Sequence, residues 1–191
     1  MMNDRFFNEC IVRDEAAKLH AVRLAIPTWE QVAAEQIKAE ESADLSMLSD
    51  QQRDWCADYI NDQYYLIDAT TNALFAGLAV SVTAVVENTM GMLCAEQGAS
   101  LPPRANWGHK VAALQGPLGK SSLSLLPSFA FANRARLLGN CFKHNGGKTN
   151  PEWVDAFTGV LDEEIRYADE DWKGLIDGAR EFLLALVAAL P

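Results

Sequence analysis

A chain of 191 residues with 49% hydrophobic and 22% charged positions, and a net charge of −10, has the composition of an ordinary folded soluble domain. Its four cysteines, Cys10, Cys56, Cys94 and Cys141, lie at least 38 positions apart, which excludes a C-x-x-C redox motif and zinc-knuckle spacing. They read as four reduced thiols, and Asp4, Arg5 and Glu9 interrupt any early apolar run, so the sequence points to a cytoplasmic protein without a signal peptide.

In chain order the signal is helical throughout. Residues 2–24 are dense in helix formers and are expected to end near Pro27. Thr28, with Gln31 three positions on, fits a capping box that opens a second helix to about Ala43. These N-terminal helices, within residues 1–46, are expected to pack on or extend a main helical domain over 47–191. Ser46 or Ser49 starts the next helix. From Asp50 the pattern runs almost unbroken to Gln97, as a pair broken near Asp68–Thr71 or as one long spine. Within it, residues 69–86 carry no charge for eighteen positions, the lower length limit for a membrane span. Thr70, Thr71, Asn72, Ser81 and Thr83 interrupt that stretch, and Asp68 and Glu87 flank it without a cation. A buried central helix is therefore expected, with no membrane partner.

Gly98 to Pro103 reads as a loop, and a short helix covers about Trp107–Leu114. A helix over 122–145 follows, with Pro127 in its first turns or marking its true start, and Asn145-Gly146-Gly147 stops it. Asn150-Pro151 opens a helix over 151–166, and 171–190 is an apolar last helix. No strand, dinucleotide-binding glycine pattern or internal repeat is found. The fold class is all-α, a bundle of about six or seven helices.

Charge is segregated. Residues 97–151 hold seven cations and no carboxylate, a net +7 in a chain of −10, so the remainder sums to −17. Such a block faces a polyanion or an acidic partner, or pairs with the chain's own acids. Two Gly-Lys-Ser/Thr tripeptides, at 119–121 and 147–149, lack the glycine five positions upstream that a phosphate loop needs; Leu114 and Phe142 stand there. No His and carboxylate spacing calls for a metal, and no cofactor is implied. Within the block, Arg136, Asn140 and His144 recur at i, i+4 and i+8, on one face of a helix.

The segment Gly139-Asn140-Cys141-Phe142-Lys143-His144-Asn145-Gly146-Gly147 resembles the active-site helix end of HEPN domains, compact helical domains that include metal-independent ribonucleases of toxin–antitoxin and defence systems. The family motif is an Arg, four to six residues, then His, often with Asn after the Arg and an Asn/Gly-rich turn after the His. Upstream, residues 84–94 are similar to the end of the preceding long helix, where the family often has an acidic residue at the place of Glu87. The resemblance covers roughly residues 50–190 and is closest in 139–147.

It implies catalytic roles for His144, Arg136 and Asn140. It implies RNA contacts from Arg134, Lys143, Lys148 and Asn145, and a homodimer that sets two sites in one cleft. The family's Arg, five before the His, is replaced by Gly139, so Arg136 substitutes from one turn earlier or the site is degenerate. Gly139→Arg would restore the spacing if packing does not require the small residue. Literal Arg-to-His spacings at Arg104–His109 and Arg13–His20 lack the helix-end context. Imidazole suits proton transfer near neutral pH, and a guanidinium forks onto phosphoryl oxygens. The resemblance thus implies an RNA- or nucleotide-binding protein, with an antitoxin or other protein as a further partner. The other reading is a non-catalytic dimeric helical module that docks an acidic partner on its basic surface.

Overall fold

The computed structural model describes residues 4–119, 122–157, 160–165 and 170–191. The fold is an all-α bundle, and among the described residues there are six α-helices and no strand. They are α1 (Asp4–Glu41), α2 (Asp50–Glu96), α3 (Trp107–Gln115), α4 (Phe129–Asn145), α5 (Pro151–Phe157) and α6 (Trp172–Ala189), with a 3-10 turn at Leu123–Leu125 before α4.

The open question about 50–97 resolves as a single 47-residue spine. Its start is the one the sequence offers at Ser49, whose hydroxyl accepts from the Gln52 amide while the Gln52 side chain answers the Ser49 N–H. Its C-terminal half packs on α1, α4 and α6, which puts Leu78, Ala79, Val82, Val86, Met90 and Leu93 in the core. By length and composition alone α2 could cross a membrane, and the central helix of a soluble bundle meets the same criterion; a third of its apolar window is buried here.

The break expected at Pro27 does not occur. α1 runs straight through it for 38 residues. Pro27 sits on the exposed side, where solvent can satisfy the carbonyl its ring leaves without a donor, while Ile26 and Ile37 hold the helix from the buried side. Thr28 is accordingly not a cap. Its hydroxyl donates back to the Leu24 carbonyl at 3.3 Å, and Gln31 donates to Glu35. Burial of α1 on the bundle outweighs one lost backbone hydrogen bond. The same helix contributes Val12, Ala16, Leu19 and Ile26 to the core shared with α2, α4 and α6.

Of the two starts left open for α4, the later one holds: the helix begins after Pro127, at a left-handed Ser128. The end of the next helix differs from expectation. α5 ends at Phe157, not near 166 (158, 159 and 166 lie outside the described residues). Residues 160–165 instead fold back along 147–149. Thr149 donates its N–H to the Glu163 carbonyl and its hydroxyl to Val160, Ile165 donates to Gly147, and a left-handed Asp162 makes the bend. The Lys120 and Ser121 positions of the first Gly-Lys-Ser tripeptide also lie outside the described residues.

α6 is apolar on the face that its neighbours cover, with Leu175, Ile176, Phe182, Leu183, Leu186 and Val187 all buried at helical spacing. α2 and α4 approach closely at Gly139. A Cβ there would overlap the Thr83 hydroxyl and come within 2.8 Å of the Thr83 Cβ and 3.3 Å of the Ala79 carbonyl. The Thr83 hydroxyl lies between the carbonyls of Ala79, at 3.0 Å, and Ala135, at 2.7 Å, and so ties one helix to the other. Its β-branched side chain has little freedom to move aside. Gly139→Ala is expected to destabilise the fold by about 1–3 kcal/mol, the usual range for overpacking a buried site. Urea unfolding with an unchanged midpoint would show that the helices do not cross this closely.

α1 is tied to α6 by His20 Nε2, 3.1 Å from Asp177 Oδ1. The Asp177 carboxyl is held below the ordinary carboxylate range, first by the hydrogen bond from Lys173, with His20 and Arg180 adding. A depressed carboxylate contributes stability above its unfolded pKa and loses it as pH falls through the folded one. Asp177→Asn should therefore be less stable than wild type at pH 7, and the gap should close below about pH 4. A gap independent of pH in thermal melts would count against this.

Candidate functional site

α4 positions the site because one of its faces is left uncovered. Arg136, Asn140 and His144 follow one another at single-turn spacing, and about 12 Å of helix separates the first from the last. Together with Lys143 they line a cleft of about 550 Å³ whose other walls are Trp107, Asn106 and Gly108 at the start of α3, Glu87 of α2 and Glu152 of α5. The three residues of the helix-face argument, Arg136, Asn140 and His144, thus lie together, and Lys143 and Glu87, singled out on other grounds, line the same cleft.

Each side chain is held differently. Arg136 is largely buried and fixed on three sides. Its Nη1 donates to Glu152 Oε2 at 2.9 Å, its Nε donates to Asn133 Oδ1 at 3.3 Å, and its guanidinium lies 5.6 Å from the centre of the Trp107 ring. Asn140 is half-buried, and His144 and Lys143 are exposed in the last turn of α4, where the helix dipole favours a positive charge. None of these three makes a side-chain hydrogen bond to another described residue, so their polar atoms remain available to a ligand. α4 then ends in a left-handed Gly146, whose N–H returns to the Cys141 carbonyl.

The remaining sequence candidates have structural partners. Arg134 lies outside the cleft. It makes a two-pronged ion pair with Glu170, at 2.9 Å from Nε and 2.7 Å from Nη2, and its guanidinium is within 5.0 Å of the Trp153 ring centre and 4.9 Å of Phe157. Asn145 uses its amide to bind the carbonyls of Lys148, at 3.1 Å, and Thr149, at 2.9 Å, shaping the turn after α4. Lys148 is exposed, pairs by its backbone with Glu164, and does not line the cleft. Lys110 is buried and ion-paired to Glu87 at 3.5 Å. Three cations of the acid-free block are therefore neutralised by acids from outside it, while Arg104, Lys143 and Lys148 stay exposed without an ion pair among the described residues.

The literal Arg-to-His matches also have other uses. His109 closes the capping box of α3 by accepting from the Asn106 N–H at 3.2 Å. His20 pairs with Asp177. Gly139→Arg is not available as a restoration of the family spacing, because the position has no room for a side chain.

Sequence reasoning missed Glu152 and Trp107 as cleft residues. Glu152 is the first acid after the basic block, and that boundary position was the only signal it gave. Among the described residues no group of three or more His, Cys, Asp and Glu side chains is arranged to hold a metal. Chemically, the cleft offers one fixed guanidinium, one free ammonium, an amide and an imidazole open to solvent, beside two carboxylates. A phosphate diester fits that set if it replaces Glu152 on Arg136. Comparison with family models, curated proteins and solved structures returns no match.

Arg134 can be separated from the cleft by stability. Glu170 is only 7% exposed, so Arg134→Met would strand a buried carboxylate. The expected cost is about 2–3 kcal/mol, below the full range for a buried pair because the Arg itself is one-third exposed. A variant that unfolds at the wild-type urea concentration would contradict this structural role.

Proposed function

We propose that this is a HEPN-like protein that binds an RNA phosphodiester in the cleft along α4 and supports metal-independent cleavage there. The observation that carries the reading is the convergence of Arg136, Asn140, Lys143 and His144 on one open cleft. In this reading the ribose 2′-oxygen attacks the adjacent phosphorus, the bond to the 5′-oxygen breaks, and a cyclic phosphate and a 5′-hydroxyl result. His144 accepts the 2′-hydroxyl proton or donates one to the leaving oxygen. Arg136 stabilises the charge gathering on the phosphoryl oxygens, and Lys143 adds affinity without reading sequence. Asn140, midway between the two, orients the ribose or the imidazole. A toxin or defence setting, with an antitoxin as protein partner, follows from the resemblance alone.

The second reading, a non-catalytic interaction module, has one observation in its favour: Arg136 already has a carboxylate partner in Glu152. The uncharged run of α2 and the apolar last helix are in large part spent on the chain's own core, through Leu78, Ala79, Val82 and Val86 of α2 and the buried face of α6. A homodimer therefore needs another surface.

The test is cleavage of mixed RNA with chelator present. His144→Ala should lower the rate about a hundredfold to ten-thousandfold while leaving binding nearly intact. Arg136→Ala should weaken both. Glu152→Gln should tighten RNA binding several-fold by freeing the Arg136 charge, since this glutamate is the competing anion and is 63% exposed. Tight binding without cleavage in any variant would leave a binding module, and failure of Glu152→Gln to change RNA affinity would remove Arg136 from the phosphate site.

A further inference from the structure

We propose that the outer half of the α1–α2 hairpin docks a basic, amphipathic helix from another protein, at a surface separate from the α4 cleft. Along α2, Trp55, Tyr59 and Leu66 fall within about 40° of one another at 100° per residue, so they form one stripe. They are 63%, 53% and 52% exposed. The stripe runs into a groove of about 220 Å³ between the helices, walled by Trp29, Ala33 and Ile37 of α1 and Leu66 and Ile67 of α2. That is room for a large aliphatic side chain. In the outer hairpin, residues 28–68, Ile37 is the one buried hydrophobic residue, so its two helices leave most of their apolar surface uncovered.

Charge identifies the occupant. Residues 28–68 carry ten carboxylates against Lys38 and Arg53, a net −8. Asp50, Asp54, Asp58 and Asp62 recur at every fourth position and form a row beside the apolar stripe. Asp50 pairs with Arg53, whereas Asp54, Asp58 and Asp62 are exposed and have no cation partner among the described residues. Like charges at this spacing weaken a helix, and only the first turn benefits from the helix dipole. A row of unpaired carboxylates next to exposed aromatic residues is complementary to an amphipathic helix with apolar residues on one face and Lys or Arg along its border. A second copy of this chain does not fit. Two hairpins meeting about a two-fold axis would set −8 against −8, and half of the described cations of the basic block are already ion-paired.

The probe is a synthetic three-heptad helix with Leu on one face and Lys flanking it, titrated into the full chain by fluorescence anisotropy. The control carries Glu in place of Lys. Binding of the Lys peptide alone is expected, with hydrogen-exchange protection over residues 50–68 and none over 129–145. Trp55→Ser with Tyr59→Ser, both surface changes, should weaken it at least tenfold. Asp54→Asn, Asp58→Asn and Asp62→Asn together should weaken it and flatten its salt dependence. Glu152→Gln, in the cleft, should leave it unchanged. No binding, equal binding of the Glu peptide, or loss on the Asp changes with none on the aromatic changes would overturn the proposal. So would self-association of the chain that Trp55→Ser with Tyr59→Ser abolishes, since a second copy would then be the occupant.

Discussion

The contact of Gly139 with Thr83 is the constraint on which the arrangement of α4 depends. Two helices can approach this closely only where one has no side chain, and the Thr83 hydroxyl then fills the space and reaches the Ala135 carbonyl across the interface. Once α4 is fixed at 139, its other faces follow from helix geometry. Leu138, Cys141 and Ala135 turn into the core, and Asn140 is about 100° round from Gly139, toward the cleft. The residue that breaks the resemblance at the motif Arg is thus required by packing, and a guanidinium can reach the cleft only from another turn of the helix. Arg136 is the one that does.

Charge works on two levels. The acid-free block looks in sequence like a basic surface. In the fold, Lys110, Arg134 and Arg136 each meet a glutamate from outside the block, namely Glu87, Glu170 and Glu152. These pairs are long-range, and they join α2 to α3, α4 to the segment before α6, and α4 to α5. Segregating charge along the chain therefore favours contact between segments distant in sequence. What remains without an ion pair among the described residues is Lys143 beside His144 in the cleft, with Arg104 and Lys148 exposed outside it. The complementary acidic excess is concentrated on the outer α1–α2 hairpin, well away in sequence from α4.

The sequence by itself determined the class of fold. Helical periodicity, a serine start for α2, Pro127 as one of two starts for α4 and the Asn145-Gly146-Gly147 stop are local signals that the fold keeps, whereas the Pro27 break and the Thr28 cap are overridden. It also placed Arg136, Asn140 and His144 on one helix face, since a period of 3.6 residues needs no tertiary information. Tertiary structure decided the rest. Pro27 stays inside a helix because the burial of Ile26 and Ile37 outweighs one backbone hydrogen bond, and residues 160–165 leave the helix because Thr149 offers them partners. Only the fold could sort Arg134 into a structural pair and bring Glu152 and Trp107 to the cleft. Which cation meets which carboxylate depends on distances between segments far apart in the chain, and no periodicity encodes those distances.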